Sequence, residues 1–259
     1  MMTDELETAR KIATKAGRIM RHYFYSDQEI KTKPDGTPVT IADTTINHMV
    51  IEELAKAFPA DDVIGEEEST GEYGMGRKWF CDPIDGTKAY TWGVPTAMFS
   101  LALVIDGRPV MGVAYDPFLD EMFWAIKGEG SYRNTIKLQV NNHKLTDGIL
   151  AIASSPSEIR ERLRFIDGFV RSQRLATYSG AVHKASRVAQ GNFVGYIERH
   201  VGAHDMAAVD LIVHEAGGTV TDYDGKLLDY RWPFRGAVVS NSVARDELLT
   251  LLRTFLDKK

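Results

Sequence analysis

The segment Asp82-Pro83-Ile84-Asp85-Gly86-Thr87 constrains this chain more than any other stretch, because regular helix cannot pass through Pro83 and two aspartates flank it closely. Two carboxylates without a cation repel each other, so gathering them in a buried turn is costly unless an ion offsets their charge. Oxygen donors of this kind suit hard cations, and magnesium takes them in near-octahedral geometry while keeping several waters. Pro83 also removes one backbone donor and restricts its neighbours, which helps leave a carbonyl such as that of Ile84 facing an ion. Gly86 lets a phosphate approach main-chain N–H groups, and the Thr87 hydroxyl can hold a water. The same six residues also read as an ordinary Asx-type turn whose aspartates cap backbone donors, and alone they do not choose between the two.

Three other acidic positions are weaker signals. Gly65-Glu66-Glu67-Glu68 follows the apolar pair Val63-Ile64 and reads first as a solvated loop. Asp205 and Asp43 read first as caps of the helices that follow them. With strands expected around Val63-Ile64 and from Lys78 to Cys81, both acidic groups are predicted just past strand ends.

The surrounding pattern is layered. Leu6, Ile12, Ala13, Ala16, Ile19, Met20 and Tyr23 predict an amphipathic helix over Asp4 to Phe24, capped by Thr3 or Asp4. A second helix is expected from Asp43 to just before Pro59. Phe99 to Ile105, Val110 to Tyr115 and Glu121 to Ile126 predict an antiparallel meander. After residues 141 to 148 the texture becomes alternating α/β: strand 149–153, helix Glu158 to Arg171, helix Gly180 to Gln190, strand Val194 to Ile197. A helix from Met206 to Ala216 should stop at the left-handed cap Gly217-Gly218, with a last helix from Arg245 to Leu256. The chain therefore divides into an N-terminal half, 1–145, and a C-terminal half, 146–259, closely packed together.

Composition removes whole classes of function. With 259 residues, 44% of them hydrophobic, a sizeable core is available and disorder is not expected. The polar N-terminus and the lack of an apolar run near the roughly 20 residues of a membrane span predict a cytoplasmic protein without membrane association. A net charge of −5 disfavours binding to a nucleic-acid polymer. The single cysteine, Cys81, rules out an internal disulfide and a multi-cysteine zinc site, and is expected to be a small core residue. His200 and His204 stand at helical zinc spacing, but Gly202 lies between them and no catalytic Glu does. Asp222-Tyr223-Asp224-Gly225 begins like a calcium loop, yet Pro233 stands where the closing Glu belongs, so a turn is expected.

Taken in order, four segments resemble the signature of the inositol monophosphatase family of metal-dependent, lithium-sensitive phosphatases: Thr40 to Asp43, Gly65 to Glu67, Asp82 to Thr87, and Asp205 with Glu215-Ala216-Gly217-Gly218. The resemblance covers nearly the whole chain and implies a five-layer αβαβα sandwich of the inositol monophosphatase and fructose-1,6-bisphosphatase type, commonly a homodimer. It implies that Glu66, Asp82 and the Ile84 carbonyl hold a first magnesium ion. Asp82, Asp85 and Asp205 would hold a second, and Glu66 with Asp43 would attend a weaker third, manganese being an alternative metal. Thr87 and Glu66 would then orient the attacking water, assisted by Asp43. Asp85, Gly86 and Thr87 would meet the phosphate, and Glu198, Gly180 and Ala181 would line the side of the substrate alcohol. The implied activity is hydrolysis of a small phosphate monoester such as inositol 1-phosphate.

Two departures bear on the substrate. After Thr87 the chain has Lys88-Ala89-Tyr90 where inositol monophosphatases commonly carry a second threonine and an asparagine. A lysine here resembles the histidinol-phosphate phosphatases and the 3′,5′-bisphosphate nucleotidases, and Gly93-Val94-Pro95 leans toward the former. Lys88 could attract a second phosphate, or simply be solvated. His204 replaces the tryptophan often seen before the late aspartate. A non-catalytic partner-binding protein on the same fold is the rival reading, and retention of Glu66, Asp82, Asp85, Thr87 and Asp205 argues against it.

Overall fold

Helical periodicity near the N-terminus is realised as α1 (Thr3–Phe24), whose buried side carries Ala9, Ile12, Ala13, Ala16 and Met20. Thr3 is already its first residue, so neither Thr3 nor Asp4 caps it. Met2 precedes the helix without a side-chain bond, and Asp4 and Glu5 instead place negative charge in the first turn. A short antiparallel ribbon of β1 (Lys31–Thr32) and β2 (Pro38–Val39) closes the Pro34-Asp35-Gly36 turn. The next helix, α2 (Ile41–Ala57), opens on a capping box. The Thr40 side chain accepts the Asp43 N–H, and the Asp43 carboxylate accepts the Thr40 N–H.

The structure is a computed structural model that describes residues 2–152 and 174–256. Its larger sheet has seven strands in sequence order: β3 (Asp62–Gly65), β4 (Arg77–Asp85), β5 (Met98–Ile105), β6 (Arg108–Asp116), β7 (Glu121–Ile126), β8 (Gly130–Arg133) and β9 (Ile136–Lys137). Only β3 and β4 pair in parallel; the expected meander β5-β6-β7 is extended by two further antiparallel strands. A single short helix, α3 (Thr87–Thr91), interrupts the run between β4 and β5.

The second sheet is mixed, with the order β11-β10-β12-β14-β13. It is built from β10 (Ile149–Ile152), β11 (Leu175–Thr177), β12 (Phe193–Glu198), β13 (Thr219–Thr221) and β14 (Ala237–Ser240). Between them run α4 (Ala181–Ala189) and α5 (Ala203–Glu215), and α6 (Arg245–Leu256) follows. The helix expected over Glu158 to Arg171 lies outside the described residues. Gly217, at φ +89°, supplies the left-handed turn after α5 that its Gly-Gly pair predicts.

Among the described residues three hydrophobic cores fill the four interfaces between five layers, one of them lying on both sides of the middle helices. Ile12, Ala16, Ile46 and Leu54 of α1 and α2 pack on Trp79, Phe99 and Val113 of the large sheet. The opposite face of that sheet, with Phe80, Ala102 and Phe123, meets Val182, Val188, Met206 and Ile212 of α4 and α5, which also pack on Tyr196 and Val239 of the second sheet. Leu150, Val194 and Val238 then pack on Leu248 and Leu252 of α6. Among the described residues the order is helices, sheet, helices, sheet, helix, which is the αβαβα sandwich. Each fully buried aliphatic side chain in these cores contributes about 1.5–3 kcal/mol. None of the described helices is long and apolar enough to cross a membrane.

Candidate metal centre and active site

Strand β4 is longer than its sequence pattern suggests and continues through Asp82-Pro83-Ile84-Asp85. Asp82 and Asp85 therefore lie within the strand, not beyond its end, which corrects the sequence expectation for this group; Glu66 does sit just past β3. In a regular strand two residues three apart point to opposite faces. Here Asp82 pairs with Ser100 and Asp85 with Met98, so β4 carries one extra residue against β5. That bulge resets the alternation and turns both carboxylates to one side, and a bulge is also where a sheet tolerates a proline. Tertiary packing on both faces keeps the stretch extended.

Asp82 and Asp85 meet Asp205, which arrives from α5, and one ligand oxygen from each lies within 4.8 Å of the other two. Asp205 is the third residue of α5 and not its cap, and its Oδ2 accepts the Gly202 N–H at 2.6 Å. Asp82 Oδ1 accepts the Ile84 N–H at 3.0 Å. Both oxygens of Asp85 are bonded from the other half of the chain, accepting the N–H groups of Ala181 at 2.9 Å and Val182 at 2.8 Å. These are first-turn donors of α4 that no helix can satisfy internally.

Burial dominates the electrostatics. It pushes the Asp82 carboxyl far above its usual range, and Glu66, Asp205, Asp85 and Asp43 push the same way. Burial and then Asp205 raise Asp85 to about 7 in spite of its two N–H donors and the nearby Lys184. Asp205 is raised by burial against the opposing pull of His204, whose Nε2 stands 3.4 Å away, and of the Gly202 N–H. Local positive charge and donors thus leave all three carboxylates under-compensated. A buried, all-oxygen, anionic donor set of this kind fits a hard divalent cation such as magnesium.

Thr87, Asp43 and Glu66 stand around this cluster. The Thr87 Oγ1 lies 2.9 Å from the Ile84 carbonyl and 3.2 Å from Asp43 Oδ1, and its single proton can go to only one of them. The other Asp43 oxygen accepts the Thr40 hydroxyl at 2.6 Å and its N–H at 2.8 Å. Burial raises Asp43 to about 7, the Thr40 bonds working against it and the charges of Glu66 and Glu67 with it. Glu66 is not among the three converging carboxylates: its Oε1 is bound by Lys33 Nζ at 2.8 Å, and the same ammonium reaches Glu67. Burial opposes the charge on Lys33, but the two glutamates outweigh it and hold the ammonium above its ordinary range. Nothing in the sequence around Lys33 marks it as a site residue, because its partners come from a loop after β3. A cavity of about 650 Å³ opens here, bordered by Lys33, Glu66, His204, Asp205, Phe234 and Arg235.

The remaining expected residues are placed as follows. Gly86 has φ +87°, and a Cβ on it would stand 3.2 Å from the Cα of Gly180. Gly180 in turn has φ +111° and would set a Cβ 3.0 Å from the Thr96 carbonyl. This pair lets the α3 and α4 ends touch. Glu198 ends β12 and is bonded at Oε2 by Lys184 and Tyr196. Lys88 is exposed, with its ammonium 5.0 Å from the Trp92 ring centroid. Cys81 is buried in the core as expected, with burial raising its thiol further. The Asp222 to Gly225 stretch is a turn, in which Asp222 Oδ1 accepts the N–H groups of Asp224 and Lys226.

The model of the inositol monophosphatase family matches residues 1–256. The chain belongs to that family. Its relatives include a histidinol-phosphatase of Mycobacterium tuberculosis, 35% identical over 97% of this chain and 99% of the relative. A histidinol-phosphatase of Streptomyces coelicolor is 36% identical over 96% of this chain and 97% of the relative. Among solved structures, an IMPase of Thermotoga maritima superimposes with a TM-score of 0.89 at 26% identity, covering 99% of both chains. The protein is accordingly an enzyme, a metal-dependent phosphomonoesterase of the inositol monophosphatase family.

Proposed function

We propose that the enzyme hydrolyses a small polyol or sugar phosphate, with inositol 1-phosphate as the type substrate, by attack of water in the presence of magnesium. The observation that supports this best is the convergence of Asp82, Asp85 and Asp205 within 4.8 Å in a buried, under-compensated pocket. In this reading Glu66, Asp82 and the Ile84 carbonyl would hold one ion, and Asp82, Asp85 and Asp205 would hold a second. Glu66 and Asp43 would attend a third, and manganese would be an alternative metal. Bound there, divalent cations supply Lewis acidity toward phosphoryl oxygens and bring the pKa of water toward neutrality.

The chain's own groups do the rest. With its proton directed to Asp43 Oδ1, the Thr87 hydroxyl oxygen, together with Glu66, would accept a hydrogen bond from a water and orient it, and the water's proton would pass through Thr87 to the Asp43 carboxylate as the Thr87 proton moves onto that carboxylate. The Gly86 and Thr87 N–H groups, at the opening of α3, offer donors to the phosphate as charge spreads over its oxygens. Gly180 and Ala181 form the wall beside it, and Glu198 accepts from the substrate alcohol. Lys88, exposed beside Trp92, would meet a second phosphate on a longer substrate.

A second reading, histidinol phosphate as substrate, is favoured by the two relatives of that name. Phosphate release from inositol 1-phosphate, histidinol phosphate, fructose 1,6-bisphosphate and adenosine 3′,5′-bisphosphate, each with magnesium and again with lithium, separates these readings. Turnover of none of the four would refute both.

A further inference from the structure

Lys184 is only 1% exposed. Its helix explains why. Ala181, Val182, Ala185, Val188 and Ala189 form the buried stripe of α4, and position 184 falls on that stripe, three residues after Ala181 and four before Val188. A buried ammonium stays charged at tolerable cost only when it is paired and hydrogen-bonded. Here Nζ lies 3.3 Å from Glu198 Oε2 and 3.3 Å from the Ile152 carbonyl. It also stands 4.6 Å from the Tyr196 ring centroid and 5.8 Å from that of Tyr178, close enough for cation–π attraction. The Tyr196 hydroxyl donates to the same Glu198 oxygen at 3.1 Å. The Glu198 side chain keeps 12% exposure at the end of β12, where the chain enters the 200–202 stretch that borders the cavity beside Asp205.

We infer that Lys184 is a positioning residue that holds and neutralises Glu198, so that Glu198 accepts an uncharged substrate hydroxyl instead of serving as counter-ion to a substrate ammonium. The inference deepens the proposed function and rests on its placing of Glu198 at the substrate alcohol. An unpaired carboxylate there would attract a cationic substrate. A carboxylate already matched by an internal ammonium gains little from a second cation, while its other oxygen remains a good acceptor for a neutral O–H. The site then discriminates for polyol phosphates and against phosphates of amino alcohols.

The test is steady-state kinetics of the magnesium-loaded enzyme on inositol 1-phosphate, histidinol phosphate and p-nitrophenyl phosphate, whose leaving group offers neither hydroxyl nor ammonium. Lys184→Met is expected to raise the KM for inositol 1-phosphate about tenfold with kcat little changed, and to raise kcat/KM for histidinol phosphate relative to it by at least about tenfold. p-Nitrophenyl phosphate should be turned over within about threefold of wild type. Adding Glu198→Gln removes the unpaired charge, and the preference for the cationic substrate should vanish again. If Lys184→Met does not fold, Lys184→Gln, which removes the charge but keeps a donor for the Ile152 carbonyl, carries the test, with the same shift in preference from inositol 1-phosphate toward histidinol phosphate as the expected result. An unchanged preference in the Lys184 variant that folds, or an equal loss on all three substrates in it, overturns the role of Lys184. No release from any of the three by wild type would instead refute the phosphatase reading beneath it.

Discussion

At the scale of single residues, the site is a set of carboxylates whose burial and mutual repulsion disfavour their charged forms. Asp205→Asn keeps the shape of the side chain but removes a charge from the converging trio. It is expected to lower kcat with magnesium by at least about 100-fold, with the far-ultraviolet spectrum unchanged. Near-normal turnover would contradict the assignment. Thr87→Ala removes the hydroxyl held between Asp43 and Ile84, and kcat should fall by about 100-fold while KM for substrate changes little, since general acid–base contributions are of that order. The raised carboxyls also make a prediction about pH. Asp43 and Asp85 titrate near 7 in the folded protein and near the ordinary carboxylate value once unfolded, so the native state holds protons more tightly between those limits. Their stabilising contribution is complete below the unfolded value and is lost as pH rises through about 7. The metal-free protein in chelator should therefore melt at a lower temperature at pH 8 than at pH 5.5, and magnesium should narrow the gap. Chemical identity at these positions was legible only through the family resemblance that joins the four segments, because each acidic group alone reads equally well or better as a turn, a solvated loop or a cap. Lys33 and Lys184 were not read as site residues. Lys33 finds its partners across the chain, but the place of Lys184 on an otherwise apolar helical stripe was a visible signal.

At the scale of elements, the site depends on three local devices: the β4 bulge, the α2 capping box and the contact of Asp85 with the start of α4. The long helices α1, α2, α4, α5 and α6 and the meander were readable from apolar periodicity, with bounds that shift by a few residues at most, whereas the five-residue α3 is too short to show a period and was not read. The bulge was not readable, because Pro83 breaks the pattern that would mark a strand and only packing against β5 and the layers on either side keeps the segment extended. Nor was the double role of Asp85, which caps a helix nearly one hundred residues away. That role has a measurable consequence. Asp85→Asn must replace one acceptor oxygen with a donor facing an N–H, so it should cost about 1–3 kcal/mol of stability as well as activity. Denaturant melts should show the loss in metal-free protein. Gly180→Ala should behave similarly, since φ +111° and the approach to the Thr96 carbonyl leave no room for a Cβ without moving α4 away from Asp85. A melting temperature equal to wild type in both variants would mean that this junction is not under the constraint described.

At the scale of the whole molecule, the five layers place the metal cluster where the two halves of the sequence meet. Asp82 and Asp85 come from the large sheet, Asp205 from a helix of the middle layer, and the core around that layer takes residues from both sheets. A cation bound by all three would tie these elements together. We expect one cooperative thermal transition, without separate melting of residues 1–145 and 146–259, and a rise in its midpoint when magnesium is added. That helices and sheets alternate in layers was legible from a meander followed by alternating α/β, while the five-layer order came only from the resemblance to the inositol monophosphatase family. The most direct test of the central claim is a calorimetric titration of the folded, metal-free protein with magnesium in the presence of inorganic phosphate. Saturable binding that is weakened or lost in Asp82→Asn and Asp205→Asn is the expected result; a wild-type protein that takes up no magnesium, or variants that bind it as tightly as wild type, would contradict the account.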